Sequence, residues 1–152
     1  MLQVILKKNT LATHAMELIP KTLQDKEIFG FKVETTTKIN EIRSVAYLLT
    51  HKRTGAKFIH LHNEDPENLI SINFPTPSKN STGVAHILEH CVLAGSKKFP
   101  VREPFFEMIK MSMATFINAM TDIDKTLYPV ASNIPKDLFN LAEVYFDAVF
   151  NP

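Results

Sequence analysis

His86 and His90 stand four residues apart with Glu89 between them, in the run His86-Ile87-Leu88-Glu89-His90. On an α-helix, residues at that spacing lie on one face a turn apart, so two imidazoles can aim ring nitrogens at a single ion. Glu89 falls near enough to such an ion to hold a water at an open coordination position, which is what hydrolytic zinc chemistry asks of a general base. At about 100° per residue, His86, Glu89 and His90 share one side of the helix, while Val84, Ile87, Leu88 and Cys91 point largely the other way. That predicts a helix with a polar front and a buried apolar back. The competing reading is a polar helix face with two ordinary histidines. With this chain's own histidine and glutamate frequencies, the pattern arises by chance in on the order of one per cent of shuffled sequences.

No rival nucleophile stands out. Cys91 follows His90 on the apolar side and reads as a small buried residue. His14, His51, His60 and His62 lack the helical pair spacing and read as solvated strand or loop residues. His60 and His62 do alternate along one strand face, but two histidines alone do not make a metal site.

The elements that must position this motif can be read from period and punctuation. Residues 1–26 mix polar and apolar positions around Pro20 and hold neither helical nor strand period, which predicts an N-terminal arm. Phe29, Phe31, Val33 and Thr35 alternate, predicting a first strand over 29–37. Val45 to His51 and Phe58 to His62 are apolar runs separated by a turn containing Gly55, and so form a hairpin. Leu69 to Phe74 is a fourth strand, closed by Pro75 and Pro77. The polar segment from Ser78 to Gly83 offers helix caps before helix formers from Val84 to Ala94 and a stop at Gly95. A short helix opens at Pro104 and runs to about Met111. Thr115–Met120 and Thr126–Ser132 read as two further strands. A last helix starts at Pro135, with Leu138, Leu141, Ala142, Tyr145, Phe146 and Val149 on one stripe. Strands, helices, strands and a helix in that order predict an α+β domain with a largely antiparallel sheet.

At 152 residues the chain is long enough for one core without disulfides or a structural metal. Seventeen basic and sixteen acidic side chains give a formal net charge of +1, so no overall field favours nucleic acid or an anionic membrane. The lone cysteine fits a reducing compartment. The first residues lack the charge order of a secretory signal, and arginine first occurs at Arg43, so a cytoplasmic location is expected, or an organellar one if a transit peptide has been removed. No apolar stretch approaches the about 20 residues that span a bilayer.

The segment Ser81–Pro100, with Gly83, His86, Glu89, His90 and Gly95 in it, resembles the inverted zinc motif of the pitrilysin and insulin-degrading enzyme clan. It is nearest to the presequence protease and falcilysin branch. Arg102-Glu103-Pro104-Phe105-Phe106, then Thr115 to Thr121, then Thr126-Leu127-Tyr128-Pro129 follow in that branch's order. The resemblance implies a zinc endopeptidase that cuts unfolded peptides inside a chamber built from two halves of a much longer chain. It implies zinc on His86 and His90, with Glu89 as the catalytic base. The strand matching Thr115–Met120 would pair with the peptide backbone, with Asn118 and Ala119 near the scissile bond and Tyr128 as a further substrate-binding residue. Without the resemblance, Asn118 reads as a turn or sheet-edge residue and Tyr128 as core.

The same resemblance places a third zinc ligand, a glutamate, on a later helix than this sequence reaches. Glu143 is the one helical glutamate late enough to compete, but its surroundings resemble the helix before the ligand helix. Residues 27–152 are therefore expected to be the opening portion of a catalytic domain, inactive alone and dependent on the remainder of a full-length enzyme. The alternative is a non-catalytic peptide-binding or scaffold fragment of the same fold.

Overall fold

The structure is a computed structural model that describes residues 27–152 and, for residues 3–9, the backbone. Nine strands form one sheet: β1 (Gln3–Asn9), β2 (Glu27–Ile28), β3 (Phe31–Ile39), β4 (Ser44–His51), β5 (Lys57–Asn63), β6 (Asn68–Pro75), β7 (Ala114–Ile117), β8 (Met120–Thr121) and β9 (Lys125–Ser132). Among the described residues three α-helices accompany it: α1 (Val84–Val92), α2 (Pro104–Met111) and α3 (Pro135–Phe150). The order across the sheet is β2-β3-β4-β5-β1-β6-β9-β7, with β8 also paired to β9. Every pairing is antiparallel except β1 with β5. The α+β architecture expected from the element order is the one observed.

The ends of several elements differ from the expectation, each for a local reason. Phe29 does not begin the first strand. Phe29 and Gly30 both have positive φ, 48° and 81°, and make the tight turn between β2 and β3. Two-residue hairpins of this kind need positive φ at both central positions, which Gly30 meets freely and Phe29 meets with its side chain 97% exposed. The Gly55 turn between β4 and β5 is as read, with Gly55 at φ 69° and its amide donating to the His51 carbonyl at 2.8 Å.

The expected N-terminal arm is interrupted by a strand. Residues 3–9 lie between β5 and β6, parallel to one and antiparallel to the other. The consecutive strands β5 and β6 are thereby separated. Residues 10–26 of that arm lie outside the described residues. A strand paired on both sides to partners more than fifty positions away leaves little local period to read.

Helices α1 and α3 lie against the β6–β9 half of the sheet. Ile70 and Ile72 from β6, Tyr128 and Val130 from β9, Val92 and Leu93 from the end of α1, and Leu138, Leu141, Ala142, Tyr145 and Ala148 from α3 form one core cluster. The α3 stripe is as the spacing predicted, except that Ala148 is fully inside while Phe146 lies at the rim. Gly95 does not act as a left-handed helix stop. A side chain there would meet the Val101 carbonyl oxygen at 3.3 Å, so the glycine serves a close approach of two backbones.

Ile72 is 1% exposed, and replacing it by alanine should cost about 2–5 kcal/mol in a urea unfolding titration. Phe29→Asn should instead stabilise the chain by about 0.5 kcal/mol, because Asn-Gly is the favoured pair for a turn with two positive φ values. A loss of stability in Phe29→Asn would contradict the turn assignment.

Candidate active site

Helix α1 opens at Gly83, whose φ of 69° places it in the left-handed region, and the first helical bond runs from the Ile87 amide to the Gly83 carbonyl at 3.0 Å. The expected serine or threonine cap is not used: no side chain caps this helix. Asn80 instead organises the preceding loop by accepting the Thr82 amide at 3.2 Å.

His86 and His90 point together as the spacing predicted. Their Nε2 atoms are 3.1 Å apart, with ring centroids 4.9 Å apart. At zinc–nitrogen lengths of about 2.0–2.1 Å, that separation subtends an angle of about 100°, near the tetrahedral value. Two imidazole nitrogens with this bite suit zinc as two members of a larger ligand set. Among the described residues no group of three His, Cys, Asp or Glu side chains is placed to hold a metal. Glu143 is engaged elsewhere, in an exposed ion pair with Lys98. Among the described residues, His60 and His62 belong to no such group either. Their rings are 5.9 Å apart, and His60 stacks on Tyr47.

Glu89 is the surprise of the helix. It is 4% exposed, and its Oε2 accepts the Thr121 hydroxyl at 2.5 Å. The expected buried apolar back is overturned: Val84, Ile87 and Leu88 are 65%, 61% and 57% exposed, and Cys91 is exposed too. The helix packs on β8 and β9 through its Glu89 and Val92 side. Amphipathic period grouped Glu89 with the two histidines, whereas the sheet meets a flank of the helix that holds Glu89 and Val92 and leaves His86 and His90 exposed.

The expected strand Thr115–Met120 is two short strands, β7 and β8, both paired to β9 and separated by Asn118 and Ala119. The Asn118 amide donates to the Pro129 carbonyl at 3.2 Å, and the Asn118 side-chain oxygen accepts the Ala119 amide at 2.9 Å. The Asn118 carbonyl accepts the Tyr145 hydroxyl at 3.1 Å. Tyr128 lies in the core, opposite Ile72 in the sheet. Burial first, and the negative charge of Glu89 second, push its hydroxyl up to about 12. Tyr145 is raised for the same two reasons in the same order. A cleft of about 660 Å³ adjoins this ground, lined by the loop before α1, by His86 and Leu88, and by Thr121 to Ile123.

Residues 76–152, which hold the histidine pair, Glu89 and the broken edge strand, match the profile of Insulinase (Peptidase family M16). The chain belongs to that family. It is 47% identical over 148 residues to presequence protease 1, chloroplastic/mitochondrial, of Arabidopsis thaliana, covering 97% of this chain and 14% of that protein. It is 49% identical over 127 residues to the mitochondrial presequence protease of Mus musculus, covering 84% and 12%. Protein HypA of Clostridium perfringens is 52% identical over 123 residues, covering 81% and 13%. Among solved structures, pitrilysin shares the fold with a TM-score of 0.68 at 24% identity, over 81% of this chain and 14% of that one. The chain thus spans about one-seventh of the length of the insulinase-family relatives it matches.

Sequence reasoning missed Thr121 and Tyr145 as site neighbours. Thr121 follows Asn118-Ala119-Met120 so closely that its place on the same edge was readable. Tyr145 sat in an apolar helical stripe and carried no such signal.

Two measurements follow from the tyrosines. Removing the hydroxyl in Tyr145→Phe should cost about 1–3 kcal/mol and speed hydrogen exchange around residues 117–121, since a main-chain carbonyl loses its donor. Phenolate absorbance should show Tyr128 ionising only near about pH 12. With the folded value above the ordinary one of about 10, the folded chain keeps a proton that the unfolded chain gives up. This contribution to stability is therefore complete below about pH 10 and is lost as pH rises toward about 12.

Proposed function

We propose that this chain is the zinc-bearing portion of a metalloendopeptidase that hydrolyses unfolded peptides, with Glu89 as the general base. The observation that carries the reading is the convergence of the His86 and His90 Nε2 atoms, 3.1 Å apart, beside a buried and hydrogen-bonded Glu89 carboxylate. Membership of a peptidase family supports it.

His86 and His90 would hold zinc, and a carboxylate contributed from outside the described residues would complete the set. Zinc in that place supplies Lewis acidity toward a peptide carbonyl and lowers the pKa of a water to about 7. Glu89 removes a proton from the attacking water as its oxygen bonds to the carbonyl carbon. Glu89 then delivers that proton to the amine as the carbon–nitrogen bond breaks. The edge formed by β7, Asn118-Ala119 and β8 receives the substrate main chain by strand addition, which depends on backbone more than on side-chain identity. A folded protein seldom offers a free extended segment, so unfolded peptides are the substrate class. The exposed face of Val84, Ile87 and Leu88 fits a surface that the rest of a family-length enzyme covers. Residues 27–152 then form the first part of its catalytic domain.

Among the described residues no helix is long and apolar enough to cross a membrane. The presequence proteases it is similar to are named for mitochondria and chloroplasts. We place this chain's work in the cytoplasm or, where a transit peptide has been removed, in the matching organelle.

The 152-residue chain should bind zinc weakly in a titration and show no appreciable turnover of an unstructured peptide, because two imidazoles are an incomplete catalytic ligand set. Chelator-sensitive turnover at the rate of a full-length presequence protease would overturn the incomplete-site reading. In a chimera carrying residues 27–152 within the mouse presequence protease, His86→Ala should lose zinc by metal analysis. Glu89→Gln in the same chimera should keep zinc and lose activity by roughly 10²–10⁴-fold. Zinc missing from Glu89→Gln would sink the division between ligand and base.

A further inference from the structure

We propose that Thr121 is a positioning residue for Glu89, and that through it the edge which receives the peptide also sets the direction of the base. The inference rests on the peptidase reading above and deepens it.

The Thr121 Oγ1 to Glu89 Oε2 distance of 2.5 Å is that of a hydroxyl giving its one proton to a carboxylate. A glutamate has three side-chain torsions, and tying down one oxygen removes most of that freedom while leaving Oε1 for a water. Thr121 can do this because it is itself held. Its χ1 is stiff, as for any β-branched residue. Its backbone is paired to Thr126 in β9, and the following Asp122 amide closes onto the Lys125 carbonyl at 2.8 Å. Thr126 is pinned in turn by a hydroxyl contact with Thr76 at 2.8 Å.

The same short segment carries Asn118 and Ala119. From Asn118 to Thr121 it is tied to β9 through the Asn118 amide, to α3 through the Tyr145 hydroxyl, and to α1 through Thr121. A peptide paired along this edge is therefore registered against Glu89 by only three residues of backbone. Misplacing a catalytic group by as little as about 1 Å can cost on the order of 10²-fold in rate. A device that shares one anchor between substrate edge and base limits that error.

A purely structural bond joining α1 to the sheet is the competing account, and serine separates the two. Thr121→Ser keeps the hydroxyl and loses the methyl; Thr121→Val does the reverse. In the chimera described above, Thr121→Val should lower kcat by roughly 10–100-fold with KM within about twofold and zinc content unchanged, and Thr121→Ser should recover to within about threefold of the parent. In the 152-residue chain itself, the side-chain carboxyl carbon resonance of Glu89 should move in Thr121→Val and stay in place in Thr121→Ser. Unchanged kcat in Thr121→Val, or a serine variant no better than valine, overturns the positioning role. If the parent chimera binds zinc yet cleaves nothing, the peptidase reading is what fails. The hold on the carboxylate is then decided by the resonance alone, and an unmoved signal in Thr121→Val overturns it.

Discussion

A carboxylate that is 4% exposed dictates how the histidine helix lies on the sheet. Leaving a buried charge without a partner costs several kcal/mol, so Glu89 needs the Thr121 hydroxyl. That bond forms only with the Glu89–Val92 side of α1 turned toward β8 and β9. With the helix so rotated, His86, three residues earlier, and His90, one later, emerge at the rim with their Nε2 atoms facing each other. The same rotation turns Val84, Ile87 and Leu88 into solvent. The histidine pair and the exposed apolar face are thus two results of one partly buried hydrogen bond.

A helix obeying hydrophobicity alone would sit differently. Burying those three aliphatic side chains is worth on the order of 1 kcal/mol each for the area still exposed. Rolling the helix to gain it would expose Glu89, turn the imidazoles further from the sheet and break the bond to Thr121. Departures from simple burial rules concentrate where chemistry is done, and here the departure has a named residue at its centre. Val92 and Leu93, at the far end of the same helix and just beyond, do bury and anchor it to Tyr128, Val130 and α3. The helix is fixed by apolar packing at its end and by a polar clamp in its middle.

Much of this was legible in the chain of letters. The His86, Glu89 and His90 spacing is a helical pattern, and from residue 31 onward the strand and helix positions, apart from the break at Asn118-Ala119, follow from period and punctuation, because both report local geometry. What was hidden depended on distant partners. Strand β1 is defined by pairing with β5 and β6, and nothing within seven residues announces that. The side of α1 that meets the sheet was misread because the sheet meets the Glu89–Val92 flank, which lies between the two faces that the pattern shows. Phe29 extended an alternating pattern that Gly30 in fact terminates, a case where turn geometry overrides period.

The least chemical element of the sequence does the final fastening. Where the edge strand breaks at Asn118, a main-chain carbonyl leaves the ladder and must find another donor, and α3 supplies it through Tyr145. Two residues further along the same helix, Asp147 accepts the Lys98 amide at 2.7 Å. The Ser96 hydroxyl first and that amide next hold its carboxyl below the usual range. The Lys97 amide reaches the Asn151 carbonyl at 2.9 Å, just past the helix end. The loop that follows the histidine helix and the step in the edge strand are therefore fastened to one rod. Because α3 is itself buried along Leu138, Leu141, Ala142, Tyr145 and Ala148, neither can shift without disturbing the core. An apolar stripe that looked like packing alone holds Glu89, the histidine pair and the edge strand in fixed relation.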